Sequence, residues 1–238
     1  MDKIVCHAEL VRSNFDGTIN FVHPLNLMIF FTKKNSNYDT YTYLQMLKLK
    51  DQALFIEVMR KEEEDHERRK HWLIISCKDM PKNAKTILAI WLFRQKQLPD
   101  GSMSKYKAQL CTHGGMQRWG ENYWETYAPV VNWISIRVLL ILSLIFDLKT
   151  RSLDFVLAFP QAKLDVDIFM ELPVGFEPAE GNLKMFVLKL EKNLYGLEQA
   201  ANNWFELLKS GLEACGFRAC NSDQCIFVCH DAIVLCCR

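Results

Sequence analysis

The 238 residues carry 29 lysines and arginines against 28 aspartates and glutamates, and half of the residues are hydrophobic. Such a chain can bury a large core; its composition excludes a disordered or collagen-like polymer and a uniformly basic coat for nucleic acid. Seven basic residues and one acid, Asp100, lie between Lys82 and Arg118, whereas Arg151 to Glu198 holds five basic and eight acidic residues. That division suits a molecule that grips phosphates with one part and metal ions with another, although a patchwork surface gives the same count. The odd number of cysteines, nine, and the absence of a signal-peptide pattern at Met1–His7 point to reduced thiols and an intracellular location, cytoplasmic or nuclear.

Residues 1–42 show no sustained period and are expected to form a poorly ordered leader or linker. Thr42 to Lys70 reads as one helix, with Met46, Leu49, Ala53, Ile56 and Met59 at helical spacing and the acids Glu62 to Asp65 on a solvated face. His71 to Ile75 reads as a strand. Ile87 to Phe93 and Tyr106 to Cys111 then form a hairpin around Pro99-Asp100-Gly101, with Arg94, Lys96, Lys105 and Lys107 towards its tip. Trp133 to Phe146 is a strongly apolar helix opened by Asn132; its longest apolar run, Val138 to Phe146, is half of a membrane span, so a buried helix and no membrane association are expected. Ser152 to Phe159 reads as a buried strand containing one charge, Asp154. Short strands are expected at Ile168–Met170 and Phe186–Leu190, a helix from Gln199 to Cys215 closed by Gly216, and a hairpin of Ile226–Val228 with Ile233–Cys236. Helices mixed with mostly antiparallel strands give the class α+β.

Three features carry chemistry. An aspartate inside an apolar strand costs several kcal/mol unless paired, protonated or metal-bound, or else it caps a loop at a strand end. The lysine-bearing hairpin offers cations for phosphates or is simply a solvated hairpin. Leu194-Tyr195-Gly196-Leu197-Glu198-Gln199-Ala200 is an aromatic-glycine turn that feeds a helix.

These features stand in order with Asp65-His66-Glu67, His71-Trp72, Thr86 to Trp91, Tyr106-Lys107-Ala108, His113 to Gln117, Tyr123 to Val131, Asp154 to Phe159, Met170 to Pro173, Gly175-Phe176 and Trp204. Taken together, residues 43–238 resemble the reverse transcriptase region of copia-type LTR retrotransposon polyproteins. The resemblance implies a right-hand polymerase fragment, an antiparallel sheet with packed helices, with fingers over about 43–150 and palm with returning fingers over about 151–238. It implies two-metal nucleotidyl transfer with two Mg2+ ions, and RNA or DNA template–primer with deoxynucleotides as partners. Asp154 is then the first metal-binding palm aspartate and the Phe155 backbone carbonyl a further metal contact. Lys107, with Lys105 nearby, is the cation for the incoming triphosphate. Phe159 is the aromatic gate beneath the nucleotide sugar, and Gln199 the glutamine that contacts nucleotide or template–primer.

The chain also departs from the pattern. Gln109 stands where the family has arginine, and Glu198 where it has lysine before the glutamine. The Tyr-x-Asp-Asp motif that supplies two further metal carboxylates is not present in the 238 residues. These departures lead to the expectation of a truncated, inactive chain. Two other readings stand beside it: a non-catalytic nucleic-acid-binding remnant of a transposon, and a zinc module built on Cys215, Cys220, Cys225 and Cys229 with His230.

Overall fold

A computed structural model of the protein describes residues 40–98, 103–176 and 185–236. The Pro99–Gly101 turn and nearly all of the expected leader lie outside the described residues.

The first elements are strand β1 (Thr40–Tyr41), a single helical turn α1 (Tyr43–Met46) and helix α2 (Gln52–Arg68). The single helix expected over 42–70 is therefore two. Met46 and Phe55 are both fully buried in one core, yet nine residues at 100° each would place them on opposite sides of a continuous helix. The turn at 47–51 resolves that conflict. Asp51 ends it, with its carboxylate accepting from the Tyr106 hydroxyl at 2.9 Å.

Strands β2 (Trp72–Ser76), β3 (Thr86–Ile87), β4 (Ala89–Gln97) and β5 (Met103–Thr112) follow, then helix α3 (Trp133–Ile145), the short helix α4 (Ala158–Gln161), and strands β6 (Lys163–Glu171) and β7 (Phe186–Lys192). Helix α5 (Ala200–Ala214) and the short strands β8 (Arg218–Ala219), β9 (Ile226–Val228) and β10 (Ile233–Leu235) complete the order. The expected hairpin is β4–β5, antiparallel and extended by β1 into a three-stranded sheet. A four-stranded sheet runs β2-β7-β6-β3, and a small one runs β10-β9-β8. All described ladders are antiparallel except β3 with β6, a parallel pairing across 83 residues at Thr86↔Phe169. The mixed helices and antiparallel sheets make the fold α+β.

One core joins the two larger sheets. Phe55 and Met59 of α2, Trp91 and Phe93 of β4, Leu110 of β5, Ile168 and Met170 of β6, and Leu188 and Leu190 of β7 belong to a single buried cluster. Phe55 meets Phe93 and Tyr106 edge-on at 5.6 and 4.9 Å, contacts worth about 0.5–1.5 kcal/mol each beyond the area they bury.

Three further expectations are corrected. The acid run on α2 is not a plain solvated face: Glu63 has a buried, unpartnered carboxylate oxygen, and Glu62 lies 3.5 Å from the wholly buried His66. Residues 152–155 have no strand partner and Asp154 is exposed, because the chain turns at Val156-Leu157, where Leu157 takes a left-handed conformation (φ +51°) before α4 begins. Helix α3 forms where expected, but none of its residues is buried. Its apolar character specifies a surface that requires cover, and the described residues do not supply that cover. They contain no helix long and apolar enough to cross a membrane.

Candidate nucleotide and nucleic-acid site

The β4–β5 register decides what the hairpin offers. Trp91, Phe93, Ala108 and Leu110 turn into the core, so Leu92, Arg94 and Lys96 face outward on one strand and Lys105, Lys107 and Gln109 on the other. Arg94 stands directly opposite Lys107, and Lys96 directly opposite Lys105. Like charges face to face across a ladder destabilise it unless an anion lies between them. All four side chains are exposed. Gln109 stands opposite Leu92, and Arg94 is the cation directly across from Lys107.

The far end of the hairpin is fastened to the aromatic-glycine turn. The Thr112 amide donates to the Tyr195 carbonyl at 2.8 Å. Gly196 (φ +96°) lies so close that a Cβ there would be 2.2 Å from the Thr112 carbonyl oxygen, and a Cβ on Gly114 would be 2.0 Å from that of Gly196. Gln117, buried on the 3-10 turn Gly114–Met116 that follows β5, donates from Nε2 to Gln199 Oε1 at 2.9 Å and accepts from the Glu198 amide at 2.9 Å. Gln199 in turn donates to the Asn122 carbonyl at 3.1 Å and is 2% exposed. Both ends of its amide are therefore engaged inside the protein, where it ties α5 to the hairpin.

Tyr195, not Gln199, reaches the opposite side of this turn. Its ring centroid lies 5.0 Å from that of the half-buried Phe159 on α4. Burial raises the Tyr195 hydroxyl above its ordinary range, with Glu62, Cys111 and Asp154 adding to the effect, so the Asp154 carboxylate lies within electrostatic reach of this ring pair. Phe155 packs its ring edge-on against Trp204 of α5 at 5.0 Å. Phe159 and Tyr195 thus come together, whereas Lys105 and Lys107 lie along the hairpin and Gln199 is buried where the hairpin meets α5. Sequence reasoning gave Tyr195 only the shaping of the turn; the one signal of a larger role was an aromatic directly before a glycine.

Magnesium is an expectation from the resemblance, and the residues described do not fit an ion pair. Asp154 is an isolated exposed carboxylate, and no group of three or more His, Cys, Asp or Glu among the described residues is placed to hold a metal ion. Asp223 is occupied elsewhere: it accepts from the Ser135 hydroxyl at 2.6 Å and from the amides of Asn132 and Cys225 at 3.0 Å each. These bonds hold its carboxyl below the usual range, the Ser135 hydroxyl foremost. Asp231 pairs with the neighbouring His230 on the surface. The same absence counts against the zinc reading of Cys215, Cys220, Cys225 and Cys229.

The pattern for reverse transcriptase (RNA-dependent DNA polymerase) matches residues 70–235. The chain belongs to the reverse transcriptase family. It is 36% identical over 149 residues to the retrovirus-related Pol polyprotein from transposon TNT 1-94 of Nicotiana tabacum, an overlap of 63% of this chain and 11% of that protein. It is 37% identical over 148 residues to the Pol polyprotein from transposon RE1 of Arabidopsis thaliana, covering 62% of this chain and 10% of the relative. The Arabidopsis transposon RE2 polyprotein is 37% identical over 138 residues, 58% of this chain and 9% of its own. The chain therefore spans about a tenth of the length of these relatives, and it corresponds to the reverse transcriptase domain of a copia-type Pol polyprotein. No solved structure matches it.

Proposed function

We propose that this reverse transcriptase domain grips the phosphates of template–primer and incoming deoxynucleotide through the outer face of the β4–β5 hairpin. The observation that carries the reading is the pair of facing cations, Arg94 with Lys107 and Lys96 with Lys105. Four exposed positive charges held against their mutual repulsion are satisfied by a polyanion threaded between them. The Phe159–Tyr195 ring pair, its rings tilted 44° to each other, provides an apolar floor for the nucleotide, with the Asp154 carboxylate within electrostatic reach of Tyr195. Gln199 is a positioning residue that acts through Gln117; residues of about 43–150 are the fingers, and those of about 151–238 the palm and returning fingers. The Asp154 carboxylate and the Phe155 carbonyl are the metal contacts such an enzyme would use; the remaining ligands are not among the described residues, so no catalytic step is assigned to this chain alone.

Binding of a primer–template duplex should weaken steeply with salt, the logarithm of affinity falling by roughly 0.9 per phosphate contacted for each unit of log salt. Lys105→Ala and Lys107→Ala should each weaken binding modestly and alike for all sequences, and each should reduce the salt slope by about one. Fluorescence anisotropy across a salt series reads both quantities. Binding insensitive to salt, or untouched by both substitutions, would refute the assignment.

A further inference from the structure

The small sheet β10-β9-β8 sets two cysteines face to face. The β9–β10 register pairs Ile226 with Leu235, Phe227 with Val234 and Val228 with Ile233. One step further the Cys236 amide donates to the Cys225 carbonyl at 2.9 Å, so these two residues continue the ladder as a directly opposed pair. Opposed residues of an antiparallel pair project to the same side of the sheet, and in a hydrogen-bonded pair their Cα atoms stand about 5.5 Å apart. That spacing falls at the commonest Cα separation of a disulfide, roughly 5.5–6 Å. The shared side is the apolar one. Cys225, 1% exposed, is buried with Phe205 of α5 and Phe227, and Val234 and the partly exposed Cys236 pack on the same cluster. The other described cysteines are placed differently. Cys111 stands opposite Ile90, the Cys220 amide bonds the Ile226 carbonyl, the Cys229 amide bonds the Ala232 carbonyl, and Cys77 and Cys215 lie outside the strands. Two sulfurs are also too few for the four-coordinate set that zinc takes.

We propose that Cys225 and Cys236 form an oxidation site, which glutathione disulfide converts into a cross-strand disulfide that locks the β9–β10 hairpin. The reduced pair is the starting state. Cys236 is the more exposed of the two, so its thiolate attacks one sulfur of glutathione disulfide. The sulfur–sulfur bond of the oxidant breaks, and the first glutathione leaves with the proton that Cys236 gave up. The Cys225 thiolate then attacks Cys236 Sγ in the mixed disulfide and expels the second glutathione, which takes the Cys225 proton. Two protein thiols are oxidised by two electrons, and one glutathione disulfide is reduced to two glutathione thiols. The bond ties together the two strands whose other opposed pair, Phe227 and Val234, already packs against Phe205 of α5. None of the four hairpin cations takes part, so the inference stands apart from the phosphate-gripping role.

Incubating the full 238-residue chain with graded ratios of glutathione disulfide to glutathione, then alkylating and mapping peptides without reduction, tests this. The expected result is one intramolecular bridge, Cys225 to Cys236, with two of the nine cysteines withdrawn from alkylation. In urea the same treatment should scatter bridges over other pairs, because the fold and not chain proximity selects the partner. Cys236→Ser should abolish the bridge, and Cys225→Ala should leave glutathione attached to Cys236. Cys220→Ser and Cys237→Ser should both keep the bridge. Amide exchange across Ile226–Leu235 should slow by at least about tenfold on oxidation, a modest share of what closing a short loop yields. Four results would overturn the proposal: a pair that stays alkylatable at every ratio, a glutathione adduct on Cys236 that Cys225 never displaces, a bridge to a different cysteine, or exchange unchanged by oxidation.

Discussion

Gly196 leaves no room for even a methyl group. Its positive φ alone costs an L-residue roughly 1–2 kcal/mol, and the Thr112 carbonyl oxygen occupies the space a Cβ would need. Gly216 has a similar φ (+87°) with open space around it, so it isolates the conformational part of the cost. Gly216→Ala should lower stability by about 1 kcal/mol, and Gly196→Ala by clearly more, about 3 kcal/mol or above, as urea unfolding would show. Equal losses would mean that the hairpin and the turn are not interlocked. The proposed function makes Phe159 a gate for nucleotide choice. Its ring is fixed against Tyr195, so a nucleotide sugar resting there meets a wall of defined height. In a chain joined to a segment carrying the Tyr-x-Asp-Asp motif, Phe159→Val should raise ribonucleotide use relative to deoxyribonucleotide use by about one to two orders of magnitude. If both fall together and the ratio stays put, Phe159 is only packing. These residue-level roles were partly legible. The motif around Tyr195 and Gly196 identified the turn, but the direction each side chain takes depends on the backbone: Tyr195 reaches Phe159, while Gln199, four residues on, is drawn inward by Gln117 and Asn122.

Helix α2 ends in a buried titratable cluster that periodicity does not reveal, because its partners come from across a turn. Lys70, at φ +55°, swings the chain from α2 into β2 and brings His71 Nδ1 within 2.8 Å of His66 Nδ1, while the His66 ring stacks on Trp72. Burial, aided by His66, Arg69 and Lys192, pushes the His71 imidazole down to about 3. The unfolded chain therefore binds more protons than the folded one between about pH 3 and the ordinary value of 6.5, and stability from this group is lost as pH falls through that window. Glu63 acts in the opposite sense. Burial and the neighbouring Glu67 raise its carboxyl to about 7, so its contribution is lost as pH rises from the ordinary 4.5 towards 7. Between about pH 4.5 and 6.5 the two groups offset each other, so wild-type urea midpoints should be nearly level there; Glu63→Gln should make them fall towards the acid side, and His71→Gln should make them fall as pH rises from 4.5 towards 7. Slopes unchanged by either substitution would remove these groups from the pH response. Elements as such were the most legible scale: β4–β5, β7, α5 and the β9–β10 pair lie within a few residues of expectation. The misreadings have one physical root. Apolar pattern reports what a segment needs around it, and residues 133–146 and 152–159 were read as buried because they need cover, which the described residues do not provide.

At the scale of the molecule, binding and catalysis separate. Facing cations on the hairpin, the Phe159–Tyr195 ring pair and one exposed carboxylate, Asp154, are present, but no cluster of metal ligands is found among the described residues. Two magnesium ions need near-octahedral oxygen ligation that a lone aspartate cannot furnish. The 238-residue chain alone should therefore bind primer–template yet extend no primer with Mg2+ supplied. Templated extension that is abolished by Asp154→Asn would disprove this. The class α+β was legible from the order of elements, but the way the sheet closes was not, since no local pattern announces that β2 pairs with β7 or that β3 runs parallel to β6. That closure sets a timetable for the nascent chain. Trp72 pairs with Leu190, so β2 emerges 118 residues before the strand that completes it. At synthesis rates of about 5–20 residues per second, Trp72 to Ser76 wait roughly 6–24 s as an unpaired strand beside an unfinished core. The Leu73 and Ile74 side chains, 49% and 45% exposed even in the finished fold, are then open to any other strand edge that arrives first. The stretch most exposed to capture by a chaperone, or to mispairing with a neighbouring nascent copy, is thus β2.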